Sequence, residues 1–212
     1  MTELSDQQSD ALGEMVNVGI GRAAASLSEM TRDEVLLSIP KLQFIARSSV
    51  ERYIGESGEL VAVKQRFDGV FNGEALLFFP EDRSLELVRT VLGDTIPVES
   101  MSNLEEEALL EIGNVLLNAC LSTFGDTLEL EVRTGLPSCH RGTCAEIMAT
   151  GRREDDERVL FIGIDFSLKG QAINGYVVFI LSVDSIQELL PQVDAYLERM
   201  GIPIVPPRDT RR

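Results

Sequence analysis

Ser5–Leu27 reads SDQQSDALGEMVNVGIGRAAASL, and 97 positions later Ser102–Phe124 reads SNLEEEALLEIGNVLLNACLSTF. With one stretch laid over the other, Ser5, Ala11, Leu12, Glu14, Asn17 and Val18 fall on Ser102, Ala108, Leu109, Glu111, Asn114 and Val115, each pair identical. The alignment holds outside the stretch, since Pro40 meets Pro137 in the same register. Phe71-Asn72-Gly73 then meets Ile173-Asn174-Gly175 at a spacing of 102, as a short insertion between the two would produce. Self-similarity at a period near half of a 212-residue chain means one unit written twice in tandem, not a solenoid of short repeats.

Each copy opens on a helix. Ser5-Asp6-Gln7-Gln8 and Ser102-Asn103-Leu104-Glu105 both fit a capping box, in which Ser accepts a helix-start N–H and the Gln or Glu three residues on reaches back. The first helix is expected to run to about Met30. The second is expected to stop at Gly125, a residue suited to the left-handed position past a helix end. Extended segments follow at 35–39, 42–46, 60–67 and 74–79 in the first copy, and at 128–134, 143–149, 159–165 and 176–181 in the second. Asn72-Gly73 and Asn174-Gly175 read as turns between paired strands. A helix closes each copy, at 82–92 and at 185–200. The fold class is α/β in the broad sense (α+β): a pseudo-two-fold duplicated domain, an antiparallel β-sheet with the two motif helices adjacent and packed on it. Residues 1–200 are expected to form one domain of two halves, 5–95 and 102–200, and residues 201–212, with three prolines and three arginines, a fraying tail.

Composition narrows the function. Hydrophobic residues at 44% and charged residues at 25% are those of a globular chain. Nineteen Lys and Arg against 35 Asp and Glu leave a net charge of −16 and a pI of 4.4. Such a surface cannot displace counterions from phosphates, which argues against nucleic acid as the main partner and against an anionic membrane surface. The start, Met1 to Asp6, lacks the basic and apolar blocks of a signal peptide. No uninterrupted apolar run nears the roughly 20 residues of a membrane span, so no membrane insertion is expected. Three cysteines, an odd number, point to a reducing cytoplasm rather than a disulfide framework. A single histidine, His140, disfavours His-rich metal centres and a Ser-His-Asp triad.

The repeated helix carries the chemistry. At roughly 100° per residue, Asp10, Glu14 and Asn17 fall within about 60° of one another, while Leu12, Met15, Val16, Ile20, Ala23 and Leu27 form the opposite, buried stripe. The second helix sets Glu107, Glu111 and Asn114 outward and Leu109, Ile112, Leu116, Cys120 and Phe124 inward. Outward polar residues are ordinary on one surface helix. Here most outward positions have drifted between the copies while Glu and Asn stay identical. Asn has a poorer helix propensity than Lys, Gln or Ala, so helix formation does not explain its presence twice. A carboxamide can both accept and donate, and so can hold and aim a water, while Glu can face a cation or accept a proton. No Ser, Thr or Cys sits beside a positioned base, and no set of ligands closes around a metal. Such a pair resembles half an active site that needs the remainder from a partner, and phosphoryl transfer is the chemistry in which positioning does most of the work.

Asp10-x-x-x-Glu14-x-x-Asn17 and Glu107-x-x-x-Glu111-x-x-Asn114, with the flanking runs Glu14 to Ala24 and Glu111 to Leu116, resemble the duplicated signature of the CheC/CheX/FliY family of CheY-phosphate phosphatases, and of its CheC branch in particular. The resemblance spans Ser5 to Leu197. It implies chemotaxis signalling and hydrolysis of the phospho-aspartate of a CheY-like response regulator. Asn17 and Asn114 would orient the attacking water, and Glu14 and Glu111 would pair with the receiver's lysine. Asp10 and Glu107 would help to orient or dock the partner. Mg²⁺ would come with the receiver, with no cofactor bound by this chain, and in some members the deamidase CheD binds as well. Glu107 stands where the family usually has Asp or Ser, which makes the second ridge the expected weaker one. The alternatives are a scaffold of the flagellar-switch type, as in FliM, which shares the fold without the Glu/Asn pairs, and a phosphatase for a receiver outside chemotaxis.

Gly19-Ile20-Gly21-Arg22-Ala23-Ala24 superficially fits a dinucleotide fingerprint but lies inside a helix, not at a strand-to-helix turn. Gly21 falls on the motif face, where a missing side chain would let a partner's backbone approach. Cys139, His140 and Cys144 offer too few ligands for a closed metal site and read as local packing. The mixed-charge run 152–158 reads as a solvated hairpin tip.

Overall fold

A computed structural model describes residues 4–54, 58–92, 101–149, 158–168 and 171–204. Along the chain run α1 (Asp6–Thr31), β1 (Val35–Ala46), a 3-10 turn at Arg47–Ser49, α2 (Val50–Ile54), β2 (Leu60–Gly69), β3 (Gly73–Pro80) and α3 (Glu81–Leu92). The second copy follows with α4 (Met101–Leu128), β4 (Val132–Thr134), β5 (Ser138–Gly142), α5 (Cys144–Ala149), β6 (Arg158–Leu168), β7 (Gln171–Leu181) and α6 (Val183–Arg199).

The strands make one antiparallel sheet in the order β1-β6-β7-β3-β2-β4, with β5 also pairing β2. That order is a palindrome of the repeat. The central pair is β3 with β7, and each copy's first strand crosses to the other copy, β1 onto β6 and β4 and β5 onto β2. The pseudo-two-fold axis therefore passes between β3 and β7, and the halves are interleaved.

The interior strands are covered on both faces. Val61, Val63, Phe67, Leu77, Phe79, Ile162 and Phe179 pack under the stripes of α1, α4, α3 and α6. Leu60, Ala62, Leu76, Phe78, Phe161 and Val178 pack against Val50 and Ile54 of α2 and Ile147 and Met148 of α5. Burial on both faces explains why Leu60–Val63 of β2 and Ala75–Phe79 of β3 read as continuous apolar runs instead of alternating. Both stripes expected on α1 and α4 are buried. Within α4, Leu104–Leu128 is long and apolar enough by composition to cross a membrane, and 61% of its most apolar stretch is buried in this fold.

Local chemistry accounts for where the sequence reading held and where it failed. The first capping box is present: the Gln8 backbone N–H donates to Ser5 Oγ (3.2 Å), and the Ser5 N–H donates to Gln8 Oε1 (3.0 Å). In the second copy Glu105 is drawn elsewhere. Its buried carboxylate accepts from Arg141 (2.9 Å) and from Ser84 Oγ (3.3 Å), tying β5 and α3 to the start of α4. Helix α4 runs through Gly125 to Leu128. The left-handed residue is Glu129 (φ 59°), and the Leu130 N–H donates back to the Gly125 carbonyl at 2.8 Å, so Gly125 lies in the last turn of a Schellman cap.

The segments 35–39 and 42–46 are one edge strand with an irregular register between Ser38 and Lys41, on either side of Pro40; an edge bulge tolerates a residue without an N–H. Residues 143–149 form no strand. Thr143 accepts from the Glu146 N–H (3.3 Å) and donates its own N–H to the Glu146 carboxylate (2.9 Å), a capping box that starts α5. Those bonds to Thr143 hold the Glu146 carboxyl below its ordinary range.

Asn174 and Gly175 are no turn either: they lie inside β7, opposite Asp165 and Ile164. A Cβ on Gly175 would come within 2.7 Å of the Phe79 ring, so this glycine makes room for an aromatic side chain. Residues 201–204 bond back onto the fold: the Ile202 N–H donates to the Leu197 carbonyl (2.9 Å), and Pro203 O accepts from Gln7 Nε2 (2.8 Å). The rest of the expected tail, and the charge run 152–157, lie outside the described residues.

Candidate active site

The two ridges lie on α1 and α4, which pack along each other on the helical face of the sheet. At Gly19 the helix backbones come close: a Cβ there would sit 2.9 Å from the Cys120 Cα. Arg22 bridges the helices nearby, donating to Thr123 Oγ1 (3.3 Å) and Asp126 Oδ2 (2.8 Å). This close packing fixes the relation of one ridge to the other.

On α1, Asp10, Glu14, Asn17 and Gly21 are all exposed. A Cβ on Gly21 would meet nothing within 4 Å, so the surface there is open. Among the described residues no side chain bonds the Asn17 carboxamide. On α4, Glu107 and Glu111 are exposed, while Asn114 and Asn118 are half-buried. Asn118 Nδ2 donates to Asn114 Oδ1 at 2.7 Å. Gln65 of β2, only 1% exposed, donates through Nε2 to Asn118 Oδ1 (3.2 Å) and to the Gly135 carbonyl (3.0 Å). The residue after Gly135, Leu136, is 94% exposed.

Asn118, Gln65 and Leu136 were not singled out from the sequence. Asn118 aligns with Gly21 and so breaks the repeat, and Gln65 sits in an apolar strand run whose partner across the molecule only the fold supplies. The available signal is an uncharged carboxamide in a strand segment, two residues past the apolar run Leu60–Val63 and between two cations.

All three cysteine thiols are held toward the protonated form. Burial pushes the Cys120 thiol up to about 12 and, with a smaller push from the Glu51 charge, Cys144 to about 11. Burial and the nearby Glu106 carboxylate raise Cys139 as well, against the lowering effect of Arg141. His140 hydrogen-bonds Ser138 Oγ (3.0 Å) on β5. Among the described residues no three of His, Cys, Asp and Glu converge to hold a metal ion. What the surface offers chemically is two ridges, each with carboxylates one turn from a carboxamide.

Comparison with known proteins gives this geometry a context. No family model matches the chain. The CheY-P phosphatase CheC of Bacillus subtilis is 20% identical over 155 residues, covering 71% of this chain and 74% of CheC. The flagellar motor switch phosphatase FliY of the same organism is 22% identical over 191 residues, 89% of this chain but only 50% of FliY.

The chain is similar to named members of the CheC/CheX/FliY family over most of its length.

Solved structures agree on the fold. Thermotoga maritima FliY superposes with a TM-score of 0.74 at 15% identity, covering 92% of this chain and all of that one. The FliM middle domain of Vibrio alginolyticus gives 0.64 at 13% identity, covering 85% and 99%. A Borrelia burgdorferi CheX, solved in complex with CheY, BeF3 and Mg²⁺, gives 0.50 at 16% identity, covering 77% and 96%. The fold is thus shared by proteins named as phosphatases and by a flagellar-switch protein, and the ridges are what must tell this chain's activity.

Proposed function

We propose that this chain is a cytoplasmic phosphatase that hydrolyses the phospho-aspartate of a CheY-like receiver domain in chemotaxis signalling. The observation that carries the reading is the surface ridge itself, a Glu and an Asn one turn apart, present on both packed helices with the side chains directed away from the core. The named phosphatase relatives support it, and so does a neighbour of this fold solved with CheY.

The chemistry is the attack of water on the phosphorus of an acyl phosphate, with cleavage of the P–O bond to the aspartate and release of inorganic phosphate. Asn17 or Asn114 holds the water through its carboxamide, donating to and accepting from it, so that one lone pair faces the phosphorus in line with the leaving carboxylate. Glu14 or Glu111 pairs with the receiver's lysine and fixes the docking register. Asp10 and Glu107 extend the acidic ridge, and Gly21 admits the partner's backbone. Mg²⁺ belongs to the receiver and neutralises the phosphoryl oxygens there. CheD remains a partner proposed from the family resemblance.

The likeness to FliM favours a second reading, a non-catalytic receiver-binding scaffold. Phosphate release from a panel of phosphorylated receivers separates the two. The parent protein accelerates release from at least one receiver, and the double variant Asn17→Ala/Asn114→Ala loses nearly all of the acceleration while still folding. Binding of the phosphorylated receivers without faster release establishes the scaffold.

A further inference from the structure

We propose that Gln65 and Asn118 are positioning residues that aim Asn114, so that the second ridge is pre-organised for turnover and the first is not. The inference rests on the phosphatase reading and adds a polarity to it. The Gly135 carbonyl can only accept, so the Gln65 atom 3.0 Å from it must be the NH₂ group. That same Nε2 also faces Asn118, which must turn its oxygen toward it (3.2 Å) and its NH₂ toward Asn114 (2.7 Å). Asn114 must then receive on Oδ1. One main-chain carbonyl on the β4–β5 loop thereby dictates the orientation of three carboxamides in series, ending at the ridge. Asn114 is left with Nδ2 and one oxygen lone pair for a ligand, in a known order.

The arrangement is costly to keep. Gln65 is 1% exposed, and its Oε1 has no hydrogen-bond partner among the described residues. A buried carboxamide with an unpaired oxygen is unfavourable for folding alone, so fold stability does not account for Gln65 at this position. The other copy lacks both members. Gly21 stands in the place of Asn118. The hairpin registers, Phe67 opposite Gly73 and Ile164 opposite Gly175, put Ile162 in the place of Gln65. Asn17 can therefore present either end of its amide outward, and the attacking water meets the productive orientation only part of the time.

The ridges are separated by mutation. Asn17→Ala leaves the second ridge, Asn114→Ala leaves the first, and the probe is a CheY-type receiver phosphorylated with acetyl phosphate. In the Asn17→Ala protein, Asn118→Ala lowers kcat about tenfold with KM within about twofold, as expected for lost orientation rather than lost binding. Asn118→Asp, of equal size but unable to donate to Asn114, does the same. In the Asn114→Ala protein neither change alters kcat by more than about twofold. Equal losses in both proteins, or no loss in the Asn17→Ala protein, overturn the proposal.

A second readout is independent of turnover. In ¹⁵N relaxation of side-chain amides, Asn114 has a higher order parameter than Asn17, and both Asn118→Ala and Gln65→Leu bring it down to the Asn17 level. An Asn114 amide that stays ordered in Asn118→Ala overturns the relay even if no receiver is ever hydrolysed. An ordered relay in a protein that hydrolyses no receiver instead removes the phosphatase reading on which the proposal rests.

Discussion

Asn17 is exposed and unbonded, so its removal should barely touch the fold. Asn17→Ala is expected to change stability by no more than about 0.5 kcal/mol in urea unfolding, as for surface positions generally, while lowering receiver dephosphorylation. Cys120 behaves oppositely, since it is silent in function and coupled to stability. Its thiol ionises near 9.0 when free and near 12 in the fold because burial disfavours the thiolate. Between these values the native state holds the proton that the unfolded state has lost, so stability falls as pH rises through that window. The slope from this group is about 1.4 kcal/mol per pH unit. Between pH 10 and 11 the parent, in which Cys144 and Cys139 contribute as well, should lose stability more steeply than Cys120→Ala by about that amount. Equal slopes would mean that the thiol is not sequestered. Leu136, which touches no core cluster, can be changed to Ser without loss of stability; if its loop meets the receiver, Leu136→Ser raises KM and leaves kcat alone.

At the scale of elements, the packing of α1 on α4 depends on a residue with no side chain. A Cβ at Gly19 meets the α4 backbone at 2.9 Å, and backbone cannot swing aside as a flexible side chain can. Gly19→Ala should therefore destabilise by about 1–3 kcal/mol through overpacking, read from the urea midpoint. Two residues on, Gly21→Ala meets open space and gains helix propensity, so it should stabilise by up to about 1 kcal/mol. If the receiver's backbone lies against Gly21, the same variant raises KM while stability improves. The pair thus separates a structural glycine from an interface glycine on one helix. The relay from Gln65 belongs to this scale too, because it links a strand, a loop and a helix. As proposed, it makes the second ridge the stronger one, the reverse of the ranking that Glu107 suggests, and the Asn17→Ala and Asn114→Ala proteins measure which holds.

For the whole molecule, the interleaving has a direct consequence. Each half contributes a strand that completes the other half's sheet, β1 on β6 and β4 with β5 on β2. A fragment of residues 1–96 would expose one face of α1 and leave the β2 edge unpaired. It should not fold as a monomer, and circular dichroism with size-exclusion chromatography should find it disordered or associated. A folded monomer would mean that cross-half pairing is dispensable. The net charge of −16 also acts at this scale. Association with a partner surface carrying the receiver lysine should weaken as salt is raised, since charges more than about 8 Å apart are screened at physiological ionic strength.

The amino-acid sequence by itself determined the duplication, the two motif helices, their buried and exposed faces, and the ridges Asp10-Glu14-Asn17 and Glu107-Glu111-Asn114. These are properties of spacing along one helix, and a helix's faces follow from its period wherever it packs. It also determined most strand positions, because their apolar runs are local. What only the tertiary structure decided involves partners distant in sequence. Cys144–Ala149 is an exception, because the Thr143–Glu146 cap that made it a helix is local and its Thr-x-x-Glu spacing was legible in the sequence. Asn174-Gly175 became mid-strand because Phe79 needed the space. Glu105 left its capping role because Arg141 came within reach across the fold. The strand crossover and the chain of bonds from Gly135 through Gln65 and Asn118 to Asn114 likewise exist only once α4, β2 and the β4–β5 loop are assembled, because hydrogen bonds between residues 53 and 70 positions apart leave no periodic trace in the sequence.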